Sequence, residues 1–413
     1  MCDYRQRGFL NHVPLNTKDI GQEFLNIETK ERSNPLPWNG QFSPQLIEVL
    51  LKKYAPKEAV ALDPFAGSGT LLHEAAMRKI GGIAADINPA ACYLARIYTL
   101  ANKERSFREA LVAHIDDQLG GLFGSDVPLF ASCQFDRLDG DPDFLKKACD
   151  IFVQPEALLL IEALLVLSEF GGACRERKVL WSTWKKLRAI IRGLPYSSNL
   201  LTVLNCDARE LPAPDSSIDL VLTSPPYINV FNYHQHYRSS TEALGWDLLS
   251  VAKSEIGSNR KNRGNRFLTV IQYCLDLTQV FAELVRVCSK TSRIIFVVGR
   301  ESRVLGVPFY NGRIIASLAT EAVGCELVTR QERVFRNRFG QSIYEDILHF
   351  VPAGSRKSLS SLAIARGIAR RTLEDALPSA SKSSVIHIND AIDRISDINP
   401  SPIYDPRAAR VSI

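Results

Sequence analysis

The stretch EAVALDPFAGSGTLLHEAAMRK, residues 58–79, joins an apolar run to a glycine turn and then to a helical pattern. EAVALDP reads as a short strand ending at Asp63, AGSGT as the turn, and LLHEAAMRK as the start of a helix. The same alternation extends in both directions. FSPQLIEVLLKKYA (residues 42–55) has helical spacing, with Ser43 as its N-cap and Pro44 at the first helical position. IGGIAADINP gives a second strand ending at Asp86, and AACYLARIYTLANK a second helix. The pattern pauses between residues 104 and 196, which read as a mainly helical insertion. It resumes with NLLTVLNCDARELP, a strand ending near Asp207, and SIDLVL, a strand running into TSPPY. A polar segment from 228 to about 267 precedes the helix LTVIQYCLDLTQVFAELVRVC. Then come the strand RIIFVVGRES, the helix RIIASLATEAVG and a terminal strand pair within ELVTRQERVFRNRFGQSIYEDILHFVP. Strand–helix alternation over this length predicts an α/β fold with a doubly wound, mostly parallel sheet. The expected organisation is an N-terminal extension (1–40), a main domain in two pieces (41–103 and 197–352), the insertion (104–196) and a peripheral helical tail (353–413).

Composition sets few limits. The 413 residues are 46% hydrophobic and 23% charged, ordinary for a globular protein. No apolar run approaches the roughly 18 residues of a membrane helix, and MCDYRQRGFLNHVPLN lacks an apolar signal core, so a cytoplasmic protein with no membrane partner is expected. None of the nine cysteines forms a CxxC pair, and no Cys/His cluster has zinc spacing, so no metal is expected. The net charge of +5 permits a polyanionic partner without requiring one.

Four strand ends carry polar or turn-forming residues, where ligands of doubly wound sheets bind. In DPFAGSGT, Gly67 and Gly69 allow a tight turn and close approach to a ligand, and the next helix offers its amino-terminal N–H groups. The run continues Thr70-Leu71-Leu72 without the lysine of a P-loop, which disfavours a nucleoside triphosphate. Asp86, some 20 residues on, suits ribose hydroxyls, although an Asp before Asn-Pro also serves as a cap. Asp207 can accept from an exocyclic amine or cap the next turn. In TSPPY the prolines fix the backbone and leave carbonyls exposed. Ser224 and the Pro225 carbonyl can then accept from a planar amino group, and Tyr227 offers a face for stacking a base. Acceptors aimed at a ring amine draw it towards tetrahedral geometry and expose its lone pair for attack on an electrophilic methyl group.

DPFAGSGT followed by TSPPY resembles the amino-directed DNA methyltransferases, which use S-adenosyl-L-methionine and modify cytosine N4 or adenine N6. The resemblance spans residues 42–351 and implies a class I, Rossmann-like methyltransferase fold with a seven-stranded sheet. FSPQLIEVLL is similar to the family's motif over the methionine end of the cofactor, which brings in Phe42 and Ser43. By the resemblance, Asp63, Pro64, Phe65, Ala66, Gly67, Gly69 and Thr70 line the methionine and sugar. Asp86 with Ile87 takes the ribose side, Asp207 with Ala208 the adenine, and Ser224, Pro225, Pro226 and Tyr227 hold the target base. Serine at the head of the motif is common in N4-cytosine enzymes, which favours cytosine. C5-cytosine chemistry is disfavoured because no Pro-Cys dipeptide supplies a thiolate. Many TSPPY enzymes place that motif before the glycine turn; here the order is reversed, which makes the insertion a candidate target-recognition region.

A methyltransferase acting on a duplex must extrude its base and grip the backbone around the pocket. NVFNYHQHYR offers Asn229, Asn232, Tyr233, His236 and Arg238, with His234 also read as a base or backbone contact. SNRKNRGNRF adds Arg260, Lys261, Arg263 and Arg266, and RQERVFRNRFGQ adds Arg330, Arg333, Arg336 and Arg338. The leading expectation is thus a site-specific enzyme for double-stranded DNA, the modification half of a restriction system with a cognate endonuclease. An RNA (tRNA or rRNA) amino-methyltransferase is the first alternative, with an N6-adenine DNA methyltransferase and a catalytically silent scaffold as the others. The first usually has Asp or Asn before the prolines and an amino-terminal RNA-binding domain, for which the residues before the first motif are too few.

Overall fold

The computed structural model describes residues 13–123, 151–170, 177–228, 232–258, 262, 264–337, 339–353 and 358–410. Its centre is a seven-stranded sheet in the order β3-β2-β1-β4-β5-β9-β8. The strands are β1 (Val60–Asp63), β2 (Gly81–Asp86), β3 (Leu201–Asn205), β4 (Ile218–Thr223), β5 (Cys288–Gly299), β8 (Glu326–Arg336) and β9 (Ser342–Val351). Neighbours from β3 to β5 are parallel, and β9 runs antiparallel between β5 and β8. A separate hairpin of β6 (Glu301–Val304) and β7 (Val307–Tyr310) follows β5, so the strand read as RIIFVVGRES ends at Gly299 and its last two residues belong to the hairpin.

The central strands are apolar on both faces because helices cover both. Side chains alternate between two cores along each strand. Ala61, Leu220, Leu222, Ile295 and Val297 belong to one core, with helices Pro44–Tyr54, Thr70–Arg78 and Pro89–Arg96. Leu62, Val221, Ile294, Phe296 and Val298 belong to the other, with helices Leu268–Val287 and Asn311–Ser317. Helix Leu268–Val287 is long and apolar enough to cross a membrane, but it is a core helix. Its Phe281 stacks on Phe296 at 4.7 Å between ring centroids.

The described helices of the insertion, Arg105–Phe123, Pro155–Leu167 and Arg177–Gly193, extend the first core; buried Trp184 donates to Asp116 at 2.6 Å. The segment expected to be polar and irregular contains two short helices, Arg238–Ala243 and Leu248–Ser254; Asp247 caps the second through Leu249 N and Ser250 N.

The tail departs most from its reading as peripheral. Helix Ser358–Ala376 packs on Leu268–Val287, and Ala365, Ile368, Ala369 and Leu373 are buried in the second core. Beyond it, the chain returns to the carboxyl ends of the strands. Ser401 donates through N (2.7 Å) and Oγ (2.6 Å) to Asp276, and Tyr404 N donates to Asp207 at 2.9 Å. Arg209, fully buried, joins these groups. It donates to Asp207 Oδ1 (2.8 Å) and Oδ2 (2.6 Å), Asp276 Oδ1 (3.1 Å), and the carbonyls of Ser401 and Pro402. Removing one member of such a network leaves buried carboxylates uncompensated. Arg209→Met is therefore expected to lower the unfolding free energy by about 3–5 kcal/mol in urea titrations. An unchanged midpoint would show that the network contributes no net stability.

Candidate active site

Chain order reverses between β1 and β4: the chain runs outward through β2 and β3, then returns beside β1. That switch point opens a crevice at the strand ends. Two cavities meet there. The first, about 850 Å³, is lined by residues 38–42, Asp63 to Gly67, Thr70, Asp86 to Asn88, Asp207, Ala208, Ser224, Pro226, Tyr233 and residues 254–256. The second, a groove of about 1960 Å³, runs from residues 26–44 to the ends of β8 and β9 and also touches Ser224. Gly40, Gln41, Phe42 and Ser224 border both.

The glycine turn is built by two different constraints. Gly67, at φ 50°, donates its N–H to Asp86 at 2.9 Å, and a Cβ there would lie 2.7 Å from the Trp38 ring. Gly69, at φ 85°, faces away from the cavity. A Cβ there would lie 2.8 Å from that of Ala95, so this glycine serves helix packing and not the cofactor contact expected of it. Both residues sit where a side chain costs strain as well as space.

Asp63 and Asp86 are held by the turns that follow them. Asp63 Oδ1 accepts from Phe65 N at 3.0 Å and from the Thr223 hydroxyl at 2.6 Å, tying the end of β1 to the residue before Ser224. Burial pushes its carboxyl up to about 7 against those hydrogen bonds. Asp86 accepts from Asn88 N (2.8 Å) and Gly67 N, and burial pushes it up to about 6. Asp207 stands at the opposite wall, but both its oxygens are taken by Arg209 and by Tyr404 N. Each oxygen already accepts two bonds, so the adenine-amine contact expected of this carboxylate has no lone pair left to use.

The proline turn is equally constrained. The Tyr227 hydroxyl accepts from Gly299 N at 3.0 Å and lies 3.3 Å from Ser224 Oγ. Burial pushes this phenol up to about 12, so it keeps its proton, and it shares a hydrogen bond with the Ser224 hydroxyl in which either oxygen can donate. The ring lies over Gly299, where a Cβ would stand 3.5 Å from it. Tyr227 is thus anchored through its hydroxyl, which stacking alone would not require.

Several expected nucleic-acid residues are engaged elsewhere. Tyr233 lines the first cavity, beside Asn88, whose side chain donates to its carbonyl. His236 rests edge-on against Trp38 at 5.2 Å and bonds Asn39 at 2.7 Å. Buried His234 cannot reach a nucleic acid: its Nδ1 donates to Glu255 at 2.7 Å, a carboxylate partner 21 residues away that no local pattern indicates. Arg238 pairs with Glu242 within one helix turn. Asn232 and the part-buried Arg266 border neither cavity, and Asn265 next door is tied to helix Lys382–Asp393. Arg336 is exposed on the second groove, where Arg333 and Ser43 also lie. Asn229, Arg260, Lys261, Arg263 and Arg338 lie outside the described residues. No described residue of the insertion borders either cavity. Trp38, Gln41, Asn88 and Glu255 were not expected at the first cavity; the Trp-Asn-Gly sequence before Phe42 was the available signal.

The sheet order and the switch-point crevice define a class I, Rossmann-like methyltransferase fold. The first cavity fits S-adenosyl-L-methionine. Among the described residues, Asp63, Asp86, Asp207 and Glu255 line it and no lysine or arginine does; Asp207 is paired with Arg209 and Glu255 with His234, which leaves Asp63 and Asp86 to suit a cationic ligand and oppose a polyphosphate. Residues 13–96 match the family model N6_N4_Mtase, described as DNA methylase. A 75-residue segment is 36% identical to the type II methyltransferase M.MjaII of Methanocaldococcus jannaschii, covering 17% of this chain and 14% of that protein. The chain therefore spans about one seventh of the length of this curated relative. Those two matches show that part of the chain is similar to DNA N4/N6 amino-methyltransferases. Two solved structures align at low similarity: the rRNA methyltransferase aviRa from Streptomyces viridochromogenes (12% identity, 81% and 91% of the two chains, TM-score 0.31), and a SAM-dependent methyltransferase from Methanosarcina mazei (11%, 73% and 96%, 0.33).

Were the ribose diol of a bound cofactor to donate to Asp86, cofactor affinity would require that carboxylate to be ionised. With Asp63 pushed up to about 7 and Asp86 to about 6 in the same cavity, affinity is expected to be level above about pH 7 and to fall as pH drops through the two values. Calorimetric titration of S-adenosylmethionine across pH 5–8 checks this, and Asp86→Asn is expected to remove its own part of the dependence along with most of the affinity.

Proposed function

We propose that this protein transfers a methyl group from S-adenosylmethionine to the exocyclic amine of a base extruded from double-stranded DNA, with cytosine N4 as the acceptor. It acts at a specific site, in the cytoplasm, as the modification partner of a restriction endonuclease. One observation carries the reading: an acidic, cation-fitting cavity and a groove bearing arginines meet at Ser224, the head of a proline-fixed turn.

Bound there, the cofactor supplies an electrophilic methyl on a sulfonium. The protein's own residues do the rest. Asp86 takes the sugar hydroxyls, while Phe65, Ile87 and Ile256 give the adenine an apolar slot. Ser224 Oγ, oriented by Tyr227, and the Pro225 carbonyl accept from the target amine. They fix its two hydrogens, so that its lone pair points towards the first cavity. No base is needed before attack, because the amine loses its proton after the new bond has formed. Fixed acceptors of this kind lower the barrier without reorganising during the reaction. No thiol takes part: among the described cysteines, Cys206, Cys274, Cys288 and Cys325 are pushed up to about 12 by burial.

At the groove mouth, exposed Arg336 and Lys30 suit phosphate contacts. The outer surface of the insertion is left for reading the neighbouring sequence.

Incubation with labelled S-adenosylmethionine and duplex DNA is expected to give transfer that Asp63→Ala and Tyr227→Ala abolish. Ser224→Ala should lower kcat by about 100-fold with cofactor affinity unchanged. Tyr227→Phe, which keeps the ring, should lower it by about fivefold. Transfer at wild-type rates in Ser224→Ala and Tyr227→Ala would remove the clamp from the mechanism. Labelling of total tRNA instead of DNA would replace the substrate.

A further inference from the structure

The proline turn accounts for the amine but not for which base carries it. The register of the sheet edge supplies a second set of groups. Gly299 on β5 pairs with Glu345 on β9, and Glu345 pairs with Arg333 on β8. Residues in one cross-strand row point to the same face of a sheet. On that face Gly299 has only a hydrogen, and the Tyr227 ring lies against it. Proceeding outward from the amine clamp, one therefore meets a tyrosine, a carboxyl and a guanidinium in order.

Arg333 and Glu345 both line the second groove, which begins at Ser224. Arg333 is only 6% exposed, and its Nε has no hydrogen-bond partner. That nitrogen is ion-paired with Glu345, whose carboxylate oxygen lies 3.4 Å away without the geometry of a hydrogen bond. The guanidinium is held in place by the Phe335 ring, 4.5 Å beneath its central carbon. A buried donor left unmade is costly, and a guanidinium presents its donors in a fixed plane. The arrangement is that of a reader awaiting an acceptor.

Three bases carry an exocyclic amine, and their edges differ in the atoms beyond it. Cytosine presents the amine, then the N3 acceptor, then the O2 acceptor. Adenine presents the amine, N1, and then an apolar C2–H. Guanine presents the amine, an N1–H donor, and then the O6 acceptor. A guanidinium in the third position matches a carbonyl and opposes the C2–H of adenine, against which its donors would stay unpaired. The middle position separates cytosine from guanine: a protonated carboxyl donates to N3, whereas an ionised one accepts from N1–H. Burial raises the Glu345 carboxyl and neighbouring Asp346 adds to the rise, while Arg333 opposes it.

We propose that Arg333 and Glu345 select cytosine as the target base, Arg333 donating to O2 and the Glu345 carboxyl sharing a proton with N3. The assignment rests on the amino-methyltransferase reading above and adds to it the residues that choose the base.

The test uses the full-length protein in two arms. Sequencing that detects modified bases, on DNA from cells expressing the wild type, is expected to show N4-methylcytosine at one motif. A duplex carrying that motif is then assayed with the wild type and with Arg333→Met. A second duplex has a target nucleoside that keeps the ring amine but lacks the 2-carbonyl. Arg333→Met is expected to lower kcat/KM by about 30-fold, and loss of the carbonyl to lower it equally in the wild type. The two changes together should cost no more than either alone, because they remove the same hydrogen bond. The wild-type arm on the modified duplex needs no variant to fold, and cofactor titration reports whether Arg333→Met keeps the first cavity intact. N6-methyladenine or N2-methylguanine as the product, or additive losses in the cycle, would overturn the assignment while leaving amino-methyl transfer standing. No transfer by the wild type to any nucleic acid would remove both.

Discussion

The hydrogen bond from the Thr223 hydroxyl to Asp63 is the constraint on which the site depends. It is 2.6 Å long, fully buried, and joins the carboxyl ends of the two strands that flank the reversal of chain order. One strand leads into the glycine turn and the other into the proline turn. Methyl transfer requires donor and acceptor atoms to sit about 3–3.5 Å apart on a line, so the two turns must keep a fixed relation. A side-chain bond across β1 and β4 does this more rigidly than either loop could alone. The cost is a buried carboxyl whose ionisation is opposed by burial, and Phe65 N–H and Thr223 together offset part of that cost.

The same economy appears at the other turn. Tyr227 is anchored by Gly299 N–H and its hydroxyl bonds the Ser224 hydroxyl, so Ser224 is oriented from β5 as well as by its own loop. Gly299 begins the row that continues through Glu345 to Arg333. The proposed clamp and the proposed edge reader therefore stand on one line of the sheet, which would keep their spacing. The first cavity is closed on its far side by the returning tail, through Tyr404 and the Arg209 network.

Much of this was legible from the residues. The strand–helix alternation, the strand ends at Asp63 and Asp86, the helix start at Ser43–Pro44 and the turn at Ser224 all follow from local periodicity and turn chemistry and are present, although the Ser43 side chain makes no capping bond. Roles that depend on distant partners were not legible. Gly69 packs against Ala95, Asp207 is consumed by Arg209 and Tyr404, His234 is buried on Glu255, and Tyr233 turns into the cofactor cavity. Nor could periodicity distinguish a peripheral tail from one whose end reaches back to the active-site edge. Each of these outcomes pairs residues separated by many turns of chain, and local sequence carries no information on which pairs form.

What the sequence by itself determined is the set of groups and their order along the chain: two carboxylates at strand ends, a glycine turn and a proline-fixed turn headed by Ser224. Those depend on backbone preferences and on apolar spacing, which act within a few residues. The tertiary structure alone decided which carboxylates remain free for a ligand and which face Arg333 and Glu345 share with Tyr227. Hydrogen-bond partners and cross-strand register are settled by packing across the whole sheet, where burial makes an unpaired group costly and so selects one arrangement.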